Sequence, residues 1–196
     1  RPPGSTLFPY TTLFRSRFYG LDVDPADVMV STGASEALGA SILALVEPGQ
    51  EVVVFEPYFD LYAAIIELAG GVRRSVTLRA PDYSFDQADL EAAIGPDTRL
   101  ILLNTPHNPT GKVFSSDELA AIAQVALQHD LLVVTDEVYE HMTYDGIRHV
   151  PLATLPGMAD RTVTISSGGK SFGTTGWKVG WAHAQSEEHT SELQSQ

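Results

Sequence analysis

The chain has no cysteine among its 196 residues. That absence removes disulfide scaffolds, thiolate metal sites and cysteine nucleophiles together. Positive charge is scarce: 12 Lys and Arg against 25 Asp and Glu leave a net charge of −13 with neutral histidines. So acidic a chain is poorly matched to a nucleic-acid backbone or an anionic membrane surface, and neither is expected as a partner. No run of about 18 apolar residues escapes a charged or polar break, so no membrane-spanning helix is expected. The start, Arg1-Pro2-Pro3-Gly4, has neither an initiator methionine nor the apolar core of a secretory signal. The expectation is a piece of a longer, cytoplasmic protein, and the lack of thiols is compatible with a reducing compartment. No HExxH or His-x-His pattern occurs, so no metal centre is expected either.

What is present fits a folded globule: 43% of residues are hydrophobic and 19% charged, far from the composition of a disordered chain. The two ends look foreign to it. Residues 6–16 read TLFPYTTLFRS and residues 186–195 read SEEHTSELQS. Both resemble in-frame translations of sequencing-library adapters. Residues 1–16 and 186–196 are therefore set aside as non-native, with native residues allowed at 1–4, and 17–185 is taken as one domain.

That body alternates two periodicities. Helical spacing runs over Ser35–Val46, Tyr58–Ala69 and Asp86–Ile94, with Gly or Pro closing each stretch. A further helix is expected from an N-cap at Ser116 to about His129. Between them lie short β-branched or aliphatic runs at Glu51–Phe55, Val72–Leu78, Arg99–Leu103, Leu131–Thr135 and Arg161–Ile165. Strands that are apolar throughout and separated by helices indicate a three-layer αβα fold with a mainly parallel sheet covered on both faces.

Ligands of such sheets bind beyond the carboxyl ends of the strands. Polar clusters stand at three of those ends: Asn104 to Lys112, Thr135 to Tyr139 and Ser166 to Phe172. The Gly33-Ala34-Ser35 turn opens a helix whose backbone N–H groups can hold an anion. An amide, a carboxylate, a phenol, a lysine and a phosphate cradle thus share one rim. That set suits a phosphorylated ring cofactor that bonds to an amine.

At these residues the chain resembles the large domain of the class I/II aminotransferases, the fold-type-I pyridoxal-phosphate enzymes. The motifs are TGASEAL (32–38), EPYFDLY (56–62), NTPHNPTGKVF (104–114), VVTDEVYEHMTYDG (133–146) and SSGGKSFGTTGWKVGW (166–181). Their details are most similar to the branch holding kynurenine, glutamine–phenylpyruvate, methionine and some succinyldiaminopimelate aminotransferases. The resemblance implies a truncated large domain, pyridoxal 5'-phosphate as cofactor, amino-acid and 2-oxo-acid substrates, and a homodimer in the full-length protein. It implies that Lys170 forms the internal aldimine and then shuttles the substrate proton, while Asp136 pairs with the ring nitrogen. Asn108 and Tyr139 would bond the ring 3-oxygen, and Phe59 would stack on the ring. Ala34, Ser35, Ser167 and Lys178 would hold the phosphate, Lys178 standing where many relatives carry arginine. The arginine that binds the substrate carboxylate belongs to a C-terminal small domain and is not expected in this chain.

Other readings fare worse. Ser167 and Lys170 fit the Ser-x-x-Lys of penicillin-interacting enzymes, but Ser-Asp-Asn and Lys-Thr-Gly are missing. Gly169-Lys170-Ser171 fits the end of a P-loop, but Thr164 stands where its first glycine belongs. Two readings keep the resemblance and change the function: the cofactor-binding sensor domain of an aminotransferase-like transcription regulator, and a C–S β-lyase.

Overall fold

The structure, a computed structural model, describes residues 15–21 and 23–184. Nearly all of both adapter-like stretches lies outside the described residues. Arg15 is an exception: its side chain is buried, and its guanidinium donates to Glu137 Oε2 at 3.1 and 2.9 Å.

Seven strands form one sheet in the order β1-β7-β6-β5-β4-β2-β3. They are β1 Val28–Ser31, β2 Glu51–Glu56, β3 Val72–Thr77, β4 Thr98–Asn104, β5 Leu132–Asp136, β6 Thr162–Ser167 and β7 Gly180–His183. Strands β3, β2, β4, β5 and β6 pair in parallel, whereas β7 runs antiparallel to both β6 and β1. After a helical stretch at residues 15–19, the helices are α1 Ala34–Leu45, α2 Leu61–Leu68, α3 Gln87–Ala93, α4 Ser116–Gln128 and the single turn α5 Gly168–Ser171.

Alternation along the central strands divides the core in two. Val53, Phe55, Ile101, Leu103 and Val133 face α3 and α4, meeting Leu90, Leu119 and Ile122. Val52, Val54, Leu100, Leu102 and Val134 face α1 and α2, meeting Leu38, Ile42 and Ile66. Each fully buried aliphatic contributes about 2 kcal/mol over leaving it exposed. Helix propensities differ only by tenths of a kcal/mol between ordinary residues, so this two-sided burial sets the layer order.

Two expectations are corrected in detail. The cap of α4 is Ser115, not Ser116. Ser115 Oγ accepts from the Glu118 N–H at 3.2 Å, and Glu118 Oε2 accepts from the Ser115 N–H at 2.9 Å. That reciprocal box needs a three-residue spacing to a Glu, which only the first serine of the pair has. Strands β1 and β7 were not among the expected elements. Each has four residues, too few to show a period, and β7 opens on a glycine.

Candidate active site

The strand ends bring the expected residues together. Ala34, Ser35, Phe59, Asn108 and Asp136 border one cavity of about 550 Å³, and so do Tyr139, Ser167, Lys170 and Lys178. The cavity lies beyond the carboxyl ends of β4, β5 and β6, with the start of α1 as one wall.

Asp136 is the last residue of β5 and is buried. Its Oδ2 accepts from the Tyr62 hydroxyl at 2.6 Å, and its Oδ1 accepts from the Val138 N–H at 3.3 Å. Among the described residues it makes no ion pair. Burial pushes its carboxyl up from 3.8 to about 6, against the pull of the Tyr62 and Val138 donors, and the neighbouring Glu137 charge adds to the rise. Tyr62 lies within the EPYFDLY motif, which by itself implies no role for it. Its own hydroxyl is driven well above the usual tyrosine range, first by burial and then by the Asp136 charge. Nothing in a sequence tells which carboxylate a helix-start tyrosine will meet, so this contact emerges only from the fold.

Asn104 ends β4 and was placed in a cluster without a function. It is buried and ties its own loop to the end of β5: its Nδ2 donates to Asp136 O at 2.8 Å and Pro106 O at 3.2 Å, and its Oδ1 accepts from the Asn108 N–H at 2.6 Å. Asn108 is thereby fixed over the cavity. Phe59 stands edge-on to Tyr62, with ring centroids 5.9 Å apart.

The anion wall is backbone. Gly33, with φ 81° and ψ 168°, turns the chain into α1, and no side chain caps the first N–H groups of that 12-residue helix. Ser167 ends β6, and Lys178 takes a left-handed conformation (φ 52°, ψ 48°) just before β7. Lys170 leaves the sheet on α5, exposed, with its Nζ 5.6 Å from the Tyr139 ring centroid and no ion pair among the described residues.

The donor set asks for a composite ligand. A buried carboxylate without a cation calls for a protonated ring nitrogen. An uncapped helix start beside a lysine calls for an anion. An exposed amine between them suits a carbonyl carbon. Pyridoxal 5'-phosphate has all three groups, and the residues present fit it.

Asp136 also sets a pH dependence. It titrates higher in the folded chain than its ordinary 3.8, so its contribution to stability is full below about pH 4 and is lost as pH rises through about 6. The shift from 3.8 to about 6 corresponds to roughly 3 kcal/mol. Asp136→Asn is therefore expected to stabilise the cofactor-free chain by up to roughly 3 kcal/mol near pH 7.5 and by little near pH 4. Urea midpoints at the two pH values check this, and an equal effect at both would refute it.

Parallel strands covered by helices, with a lysine, a buried carboxylate and an anion-ready helix start at their carboxyl ends, define a cofactor-binding domain of the pyridoxal-phosphate kind. The chain belongs to the aminotransferase class I and II family, whose model matches residues 10–196. Members of this family depend on pyridoxal phosphate. The solved N-succinyldiaminopimelate aminotransferase of Mycobacterium tuberculosis superposes with a TM-score of 0.89 at 48% identity, over 93% of this chain and 49% of that one. YbdL of Escherichia coli, whose crystal structure and reactivity identify a methionine aminotransferase function, superposes with a TM-score of 0.88 at 39% identity, over 91% of this chain and 47% of that one. Kynurenine–oxoglutarate transaminase 1 of Rattus norvegicus is 46% identical over 180 residues, 86% of this chain and 43% of its own length. These names fall in the branch that the motifs resemble. The chain spans about half the length of the relatives it matches.

Proposed function

We propose that the chain is the cofactor-binding part of a pyridoxal-phosphate-dependent transaminase, which moves an amino group between an amino acid and a 2-oxo acid. The observation that carries this reading is Asp136, a buried carboxylate bordering the same cavity as an exposed lysine. When bound, the cofactor supplies an aldehyde that captures amines and a ring that takes up electron density. Asp136 holds the proton on the ring nitrogen, and Tyr62 and Val138 keep that carboxylate oriented. Lys170 would hold the cofactor's aldehyde carbon, and once the substrate amine has displaced it, its Nζ would be the base placed to take the substrate Cα proton. Asn108 and Tyr139 would bond the ring oxygen, while Phe59 would cover a ring face. The first N–H groups of α1, at Ala34 and Ser35, hold the phosphate together with Ser167 and Lys178.

The reading extends to a cytoplasmic homodimer as the full-length form. The exposed Trp177 (79%), next in the chain to the cavity-lining Lys178, supports an interface near the site. Among the described residues no helix is long and apolar enough to cross a membrane. Neither the regulator nor the β-lyase reading gains support from the relatives.

Borohydride reduction of the chain with pyridoxal phosphate, followed by digestion and peptide mass analysis, tests the assignment. One pyridoxyl group per chain, on the Lys170 peptide, is expected. A stoichiometric label on another lysine would overturn the site.

A further inference from the structure

Lys170 departs from the sheet on one helical turn of four residues, closed by a bond from the Phe172 N–H to Gly168 O at 2.9 Å. One turn does not hold itself in water, because nucleating a helix costs more than one bond returns. Two hydroxyls meet its first two carbonyls from the far side of the loop, one of them sharing Gly168 O with the Phe172 N–H. Thr174 Oγ1 donates to Gly168 O at 2.9 Å, and Thr175 Oγ1 donates to Gly169 O at 3.1 Å.

The same pairs lie in close contact, tightly so at Gly169. A Cβ on Gly168 would lie 3.4 Å from Thr174 Oγ1, and one on Gly169 would lie 3.2 Å from Thr175 Cα. Two bare glycines and two threonines thus close on each other six residues apart. The Gly168 N–H, bonded to Val179 O at 2.9 Å, shuts the loop behind them. Gly169, Lys170 and Thr175 all border the cavity. Threonine is stiff at χ1, so each hydroxyl is held on its carbonyl at little entropic cost.

We propose that Thr174 and Thr175 are positioning residues for Lys170: their hydroxyls fix the carbonyls of Gly168 and Gly169 and so set where the lysine amine stands in the cavity. This rests on the reading of Lys170 as the cofactor lysine.

The test compares the parent chain with Thr174→Val/Thr175→Val, which keeps the shape and removes both hydroxyls, and with Thr174→Ser/Thr175→Ser, which keeps the hydroxyls. Amide exchange at Phe172 is read without cofactor. The rate of borohydride-fixed labelling of Lys170 by pyridoxal phosphate is read beside the affinity for 4'-deoxypyridoxine 5'-phosphate, which keeps ring and phosphate but has no aldehyde. A lost hydrogen bond is worth about fivefold, so the valine pair should speed Phe172 exchange by about 10-fold or more and slow labelling by a similar factor. Affinity for the aldehyde-free analogue should stay within about twofold, and the serine pair should restore labelling to within about threefold. Unchanged exchange and labelling in the valine pair would overturn the proposal. So would a serine pair as defective as the valine pair, or a matching loss of analogue affinity. If the valine pair does not fold, Thr175→Val alone carries the same comparison. Labelling of another lysine in the parent chain would instead sink the cofactor reading, while the exchange arm still decides whether the hydroxyls hold the turn.

Discussion

Lys170→Ala is expected to take up no borohydride-fixed pyridoxyl group above background, whereas Lys178→Ala remains labelled once cofactor is saturating. The two lysines border one cavity and sit eight positions apart in one loop, yet they answer to different physics. On the proposed reading Lys170 supplies a nucleophile, and alanine has no atom that can replace it. On the same reading Lys178 supplies charge to an anion that the α1 backbone N–H groups would also hold, so its loss is partial. A charge-assisted bond is worth about 1.5 to 3 kcal/mol, which puts the weakening for Lys178→Ala at about 10- to 100-fold in affinity. Titration with pyridoxal phosphate before reduction separates the two effects. Equal loss of label in both variants at saturating cofactor would remove the distinction and with it the assignment of Lys170.

Lys170 was visible in the sequence because its neighbours are. The block from Ser166 to Trp181 sits at the end of an apolar run, and that position is where an α/β sheet presents ligands. The same logic pointed to Asp136 and Asn108, which border the same cavity, since β4 and β5 read as continuous aliphatic stretches followed by polar clusters. The order of the layers was legible for the same reason: a strand buried on both faces must be apolar at every position.

The contacts that tune those residues were not legible. Tyr62 reaches Asp136 across 74 positions of chain, and no local pattern encodes such a pairing. Asn104 stands in the sequence only as the start of a polar cluster, but it is a buried staple between two strand ends. Strand β7 was hidden by brevity and by its glycine. Its antiparallel direction follows from the tight loop at 168–179, which returns the chain beside β6 without a crossover helix. Arg15 marks the opposite situation. The sequence sets it aside with the adapter-like stretch, while the structure buries its guanidinium on Glu137.

That glycine of β7 carries the other large effect. Gly180→Ala is expected to destabilise the chain by about 3 kcal/mol or more, at the upper end of what overpacking costs. Gly180 pairs with Ser31 on β1 and with Ser167 on β6. A Cβ there would fall 2.3 Å from Gly33 C, 2.5 Å from Ala34 N and 2.8 Å from Gly33 Cα. These are backbone atoms of the turn that opens α1, so no side chain can swing aside. Either β7 moves and loosens β1, which among the described strands pairs only with it, or the start of α1 moves away from Ser167 and Lys178. The first outcome lowers the urea midpoint; the second also weakens binding of inorganic phosphate and of the cofactor. Gly39 supplies the control. It lies inside α1, and a Cβ there meets nothing within 4 Å. Alanine in a helix interior is better than glycine by about 1 kcal/mol, so Gly39→Ala should raise the midpoint. The same added methyl is thus expected to act with opposite sign at two glycines of one chain. Similar effects at both would show that close approach of β7 to the α1 turn does not shape the anion wall.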